Sequence, residues 1–223
     1  MQTYHKIQTV YLRNPEDKYK ALIEGAWSKL EFEYLQNADW IFEEKLDGTN
    51  VRITYDGEFI SIKGKTDDAQ MSISLIDSIK KLLKIDSANC TATLEKWKEM
   101  FPSKDGEKVR VCLYGEGIGP GIQKGGGNYG KEKTFVLFDV NIGDLFLKRD
   151  SVADIALKLD LKIAPVVGRG TLHDGIAMVR EGFNSTYGPF LAEGIIARPA
   201  VELDNRFGER VITKIKHKDF KRA

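Results

Sequence analysis

Apolar residues Ile73, Ile76, Ile79, Leu82 and Leu83 recur at helical spacing between Ser72 and Lys84 and predict one amphipathic helix, with a shorter one over Leu94 to Met100. DWIFEEK (39–45) reads as a strand, so that Lys45 sits where a strand runs out. VRITYDGEFISIKG (51–64) reads as a hairpin turning at Asp56-Gly57, a favoured turn pair. VRVCLY (109–114) and TFVLFDV (134–140) are short β-branched and aromatic runs that suit buried strands. The glycines of the intervening GEGIGPGIQKGGGNYGKEK speak against regular structure and predict a mobile or tightly turned loop. Helices follow near Ser151 to Leu159 and Leu172 to Gly182, with Asp150 or Ser151 and Thr171 as candidate N-caps. EGIIARP (193–199) and ERVITKIK (209–216) complete the pattern as strands. Hairpin-linked strands with interspersed helices predict an α+β fold on antiparallel sheets rather than a doubly wound one.

Length and composition narrow the class. A chain of 223 residues can bury one substantial core, and a single domain over 1–223 is expected. With 42% hydrophobic and 30% charged residues it is not a disordered polymer. No stretch approaches the roughly 18 apolar residues of a membrane span, and the N-terminus lacks the apolar core of a signal peptide. A cytoplasmic protein with no membrane association is therefore expected, in a bacterial or phage-infected cell for example. Cys90 and Cys112, with His5, His173 and His217, offer no zinc-site spacing. The net charge of +1 leaves nucleic-acid binding to local clustering.

The chemistry concentrates in EEKLDGTNVRI, where Lys45 is followed two residues later by Asp47 and then by Gly48. A K-x-D-G string alone also describes a surface turn. Lys214 and Lys216, two apart on a strand, share one face; they are either two solvated lysines or a pair able to reach one phosphate. Phe138 lies in an apolar strand and suits a core as well as a stacking role. Asp47, Glu116 and Glu193, read singly, are solvated acids; as a set they suit magnesium, which prefers oxygen ligands and keeps several waters. The glycines at 115, 117, 119 and 121 follow a strand, but no helix opens after them, which excludes a dinucleotide-binding fingerprint. The tail KIKHKDFKRA adds Lys218, Lys221 and Arg222 around Phe220, compatible with nucleic-acid contact or with solvated lysines.

Taken in order, KLDGTN, YGEG (114–117), VLFDV, EGII and KIK resemble the motif series of the covalent nucleotidyltransferase superfamily, and within it the RNA ligase 2 family. The N-terminal YHKIQTV is similar to the start of those enzymes. The resemblance implies an ATP-grasp-like ligase core and an ATP-dependent RNA ligase that joins 5′-phosphate and 3′-hydroxyl ends, with Mg2+ or Mn2+. It implies Lys45 as the nucleophile carrying AMP, Lys214 and Lys216 as the cations around it, and Phe138 stacked on adenine. It further implies Glu116 on the ribose, Asp47 and Glu193 on metal-bound water, and Glu44 accepting from the adenine amino group. Asn50 stands where DNA ligases and capping enzymes carry arginine, which favours RNA. In GKTDD, Lys65 takes the place of the family's usual arginine and keeps the charge without the bidentate fork. Lys124 and Lys131 in the glycine-rich loop could meet phosphates.

No segment remains after KIK for an OB or other C-terminal domain, and a monomeric stand-alone core is expected, with a protein partner as one means of replacing that domain. The RNA ends could be single-stranded, in a nicked duplex or in a DNA-RNA hybrid. Two other readings stay open: a DNA ligase or capping-type guanylyltransferase, and a catalytically silent nucleic-acid-binding module.

Overall fold

A computed structural model describes residues 3–85, 90–103 and 107–220. In chain order the strands are β1 (Gln8–Thr9), β2 (Tyr11–Arg13), β3 (Leu22–Trp27), β4 (Trp40–Glu44), β5 (Thr49–Tyr55), β6 (Ile60–Gly64), β7 (Val111–Ile118), β8 (Thr134–Ile142), β9 (Leu145–Phe146), β10 (Lys162–Ile163), β11 (Val166–Gly170), β12 (Gly194–Pro199) and β13 (Thr213–Lys216). The helices are α1 (Leu30–Tyr34), α2 (Ile73–Leu83), α3 (Cys90–Met100), α4 (Arg149–Lys158) and α5 (Leu172–Glu181). Packing divides the chain into two units, one of residues 1–4 and 47–163, the other of residues 5–46 and 164–223. No helix among the described residues is long and apolar enough to cross a membrane.

The first unit is built on a sheet in the order β10-β8-β7-β5-β6, with β9 paired to β8. Its pairs are antiparallel except β10 with β8. α2 lays Leu75, Ile79 and Leu83 into the core, with Trp97 of α3, Val152 and Ile155 of α4, and Ile53, Leu113 and Phe135 of the sheet. Ser72 and Lys84 bound α2 as the periodicity predicts, Lys84 closing it in the left-handed conformation at φ 57°. Ile73 is the outlier of the predicted stripe and faces outward.

Three local expectations are corrected here. The β5–β6 turn centres on Gly57-Glu58 rather than Asp56-Gly57, because the Asp56 carboxylate accepts from the backbone N–H groups of Glu58 and Phe59 and fixes Asp56 before the bend. α4 starts at Arg149 after Lys148, so neither Asp150 nor Ser151 is its N-cap; Asp150 instead lies in the first turn, where a carboxylate complements the helix dipole. Most consequentially, β7 does not stop at Tyr114 but runs through Gly115, Glu116 and Gly117 to Ile118. Those glycines serve close packing: a Cβ on Gly115 would lie 2.3 Å from the Phe135 ring, and one on Gly117 2.7 Å from Leu75.

The second unit carries a sheet in the order β1-β13-β12-β4-β11 and the β2–β3 ribbon. β1 runs parallel to β13 and the remaining pairs of the sheet are antiparallel. α5 packs Ile176 and Val179 against Phe42, Ile195 and Ile215. Thr171 caps it as expected, with a reciprocal bond between Asp174 and the Thr171 backbone. The predicted strand over 209–216 is shortened to Thr213–Lys216: Asn205 accepts from the N–H groups of Phe207 and Glu209, and Asp204 bridges to Arg210, so the residues before Val211 belong to a tight turn.

Candidate active site

Lys45 is the first residue beyond β4, and its backbone N–H still donates to the Gly194 carbonyl at 2.9 Å. The ladder thus ends on the nucleophile candidate and presents its side chain at the sheet's edge. β12 pairs with β4 on one side and β13 on the other, with Gly194 opposite Lys216 and Ile195 opposite Glu44. Gly194 is a glycine because its φ is +151° and a Cβ there would lie 2.0 Å from the Ile215 carbonyl. That approach brings Glu193 beside both neighbouring strand ends.

Glu193 bridges two ammonium groups: one carboxylate oxygen contacts Lys45 Nζ and the other accepts from Lys216 Nζ at 2.8 Å. Burial alone would raise its pKa, but Lys45 and Lys216 outweigh burial and hold the carboxyl below its ordinary range. In β13, Thr213 and Ile215 are buried while Lys214 and Lys216 share the opposite, half-buried face. Burial first, then the charges of Lys216, Lys45, Arg13 and Lys6, push the pKa of Lys214 down to about 8. The structure therefore brings Lys45, Glu193, Lys214 and Lys216 into one electrostatic cluster that carries more positive than negative charge.

Glu44 points its buried carboxylate at the turn that precedes β12. Ser185 Oγ donates to Oε1, and Thr186 donates to Oε2 twice, through its backbone N–H at 2.9 Å and its hydroxyl at 2.6 Å. Tyr187, next in that turn, has its hydroxyl pKa pushed up to about 12 by burial and by the Glu44 charge. Ser185, Thr186 and Tyr187 are the residues sequence reasoning missed, since hydroxyl residues in a short loop carry no periodic signal.

The remaining candidates, Asp47, Asn50, Lys65, Glu116 and Phe138, belong to the other unit. Asp47 donates its backbone N–H to Tyr129 Oη at 2.9 Å, and Gln123 donates to the Gly48 carbonyl at 2.8 Å. The glycine-rich loop is thus tightly turned over the nucleophile motif, with a 3-10 turn at Gly126–Tyr129. Gly48 must be glycine: a Cβ would sit 2.2 Å from the Gly117 carbonyl. Asn50 in β5 lies opposite Glu116 in β7, and its buried Oδ1 has no hydrogen-bond partner among the described residues. Phe138 is the extra residue of a β-bulge: Tyr114 pairs with Asp139 and Gly115 with Leu137, leaving Phe138 out of register. Its ring is half-buried against the edge of Tyr4 at 5.1 Å, while Leu137 and Asp139 on either side are sealed in. Lys65, Lys124 and Lys131 are exposed. Arg52, unsuspected in the sequence, is buried and donates to Gly64 O and Asp67, which fixes the segment carrying Lys65. Lys221 and Arg222 lie outside the described residues.

The family model for RNA ligase matches residues 38–216 of this chain. No curated protein matches it. Among solved structures, Naegleria gruberi RNA ligase with PPi aligns at a TM-score of 0.60 and 15% identity, covering 97% of this chain and 57% of that one. A lysine-to-alanine mutant of the Naegleria gruberi enzyme, solved with ATP and Mn, aligns at 0.62 and 16% identity over 85% of this chain and 54% of that one. A lysine-to-methionine mutant with AMP and Mn aligns at 0.60 and 15% over 96% and 59%. At these identities the likeness is one of fold, the α+β nucleotidyltransferase fold that the motifs implied. The chain spans a little over half the length of the solved ligases it matches.

Proposed function

This chain belongs to the RNA ligase family, matched over residues 38–216, and from that membership we propose that it is an ATP-dependent RNA ligase in which Lys45 carries AMP. The observation that carries the proposal is the Glu193 carboxylate bridging Lys45 and Lys216 at the ends of β4, β12 and β13, with Lys214 in the field of both lysines. A cluster with Lys214 depressed to about 8 is an incomplete anion site. An arriving triphosphate supplies the missing negative charge, relieves Lys214, and offsets with Lys214 and Lys216 the charge that develops as pyrophosphate departs.

In the first step the Lys45 amine gives up an N–H proton to solvent and forms an N–P bond to the α-phosphorus while the bond from that phosphorus to the pyrophosphate oxygen breaks. An RNA 5′-phosphate oxygen then takes the AMP and returns the lysine. Finally a 3′-hydroxyl attacks the activated 5′-phosphorus, giving a phosphodiester and AMP. Glu193, held below the ordinary carboxylate range, is a poor proton acceptor and serves as counter-ion and positioner for Lys45.

Phe138 on adenine and Glu116 on the ribose keep the roles the resemblance implies, and Asn50 stays a nucleotide-binding candidate; the bulge that frees Phe138 and the unpaired Asn50 Oδ1 support these readings. Lys65 is assigned to phosphate. No group of three or more metal-ligating side chains occurs among the described residues. Asp47 and Glu193 keep the roles on metal-bound water that the resemblance implies, since single carboxylates would suit a largely hydrated magnesium or manganese ion rather than a protein cage. Such an ion supplies Lewis-acid stabilisation of the phosphate oxygens.

The test is incubation with α-labelled ATP and magnesium. The protein should acquire label that Lys45→Ala abolishes; label that survives this change overturns the proposal. Sealing assays on single-stranded RNA ends, RNA nicks, DNA-RNA hybrids and their DNA counterparts then identify the acceptor.

A further inference from the structure

The turn from Ser185 to Phe190 is closed on itself and fastened to a single carboxylate. Ser185 N–H donates to Phe190 O at 2.8 Å, Gly188 N–H to Ser185 O at 3.3 Å, and Tyr187 N–H to Ser185 Oγ at 3.1 Å. Asn184 bridges to Leu191, and Ala192 N–H donates to Phe183 O at 2.9 Å, so the hairpin runs directly into Glu193. Its tip delivers three donors to Glu44, one to Oε1 and two to Oε2. An ionised carboxylate has about four acceptor positions. Oε2 is therefore filled, and one acceptor position is left, on Oε1.

We propose that Ser185 and Thr186 are positioning residues for purine discrimination, acting through Glu44 by fixing which of its oxygens remains open as an acceptor. This rests on the ligase reading above, in which Glu44 accepts from the adenine amino group. A freely rotating carboxylate would offer either oxygen in many orientations. One clamped by three donors offers a single acceptor in one direction, which rewards a 6-amino donor and leaves a 6-carbonyl opposed to another acceptor. Thr186 contributes twice to the filled oxygen and is the stronger of the two clamps. Thr186→Val keeps shape and the backbone bond while removing the hydroxyl donor. Thr186→Ser restores it.

The experiment compares lysyl-nucleotide formation from ATP, GTP and purine riboside triphosphate, which has no 6-substituent, in the unaltered chain and in Thr186→Val, Thr186→Ser and Ser185→Ala, with a thermal melt of each. Thr186→Val should lower the ATP to purine-riboside-triphosphate ratio of kcat/KM by about tenfold, chiefly through the KM for ATP, and Thr186→Ser should restore it. Ser185→Ala should lower the ratio by a smaller factor. A ratio unchanged in both Thr186→Val and Ser185→Ala, or an equal fall with every nucleotide, overturns the inference and leaves the ligase reading standing. Absence of ATP label on the unaltered chain overturns both.

Discussion

Glu43 and Lys45 lie two residues apart at the end of one strand, and each forms an ion pair with the β12 segment, but the pairs are unlike. Glu43 meets Arg198 at 2.9 Å with side-chain exposures of 2% and 5%, inside the sheet's packing. Lys45 meets Glu193 where the exposures rise to 21% and 14% and two more lysines share the space. The first pair is sealed. The second has two lysines on one carboxylate, with Lys214 in the field of both, and opens to solvent. Distance along the strand decides this: Glu43 is still flanked by paired strands on both sides, whereas Lys45 is the residue at which the ladder ends. Here the sealed pair holds the fold, and the pair at the ladder's end is available for chemistry.

The largest effect should come from breaking the sealed pair. Arg198→Met leaves Glu43 in the core without its guanidinium and should cost about 3–5 kcal/mol in urea denaturation. The double variant with Glu43→Leu should recover most of that loss, since two apolar side chains leave no charge to desolvate. A loss of under about 1 kcal/mol for Arg198→Met would place this pair with surface ion pairs and erase the contrast.

Glu193→Gln should behave in the opposite sense. Lysyl-AMP formation should fall about 100-fold as Lys45 loses its counter-ion, while stability should fall by only about 1 kcal/mol, because the pair is partly hydrated although its ammonium groups are left facing one another. Gly194→Ala joins the two regions. Its Cβ would collide with the Ile215 carbonyl at 2.0 Å, so β12 and β13 must part. A stability loss of about 1–3 kcal/mol is expected, read as a lowered melting temperature, with a fall in labelling because Glu193 moves with the strand.

How much of this was legible in the sequence differs between elements for physical reasons. α2 was legible because its apolar period and its bounding residues agree, and Thr171 because a cap is a local device. Lys45 was legible as a strand end, and Lys214 and Lys216 as one face of a strand. The parallel β1–β13 pairing was not, since two residues without an apolar run gain their identity only from a partner some two hundred positions away. β7 was cut short because glycine reads as a breaker, whereas here the Phe135 ring and Leu75 occupy the volume a side chain would need. The Phe138 bulge is likewise set by its neighbour strand and leaves no mark in VLFDV. Among the chemical groups, the types were visible and the electrostatics were not: nothing in KIK says that Lys214 has a pKa of about 8.

That lysine gives the smallest effect and the most direct reading of the open cluster. Below about pH 8 the Lys214 ammonium is charged in folded and unfolded chains alike, and the folded chain bears the cost of burying it among like charges. Between about 8 and the ordinary 10.5 the folded chain releases the proton while the unfolded chain keeps it, so the unfolded state binds more protons and stability rises with pH. Lys214→Met removes the cost at every pH. Its melting temperature should therefore exceed that of the unaltered chain at about pH 7, and the advantage should shrink steadily towards about pH 10. Pyrophosphate should stabilise the unaltered chain more than the variant at pH 7, because only the former has a strained cation for the anion to relieve. An advantage independent of pH would mean that the methionine acts by packing alone, and that Lys214 carries no strain for a phosphate to discharge.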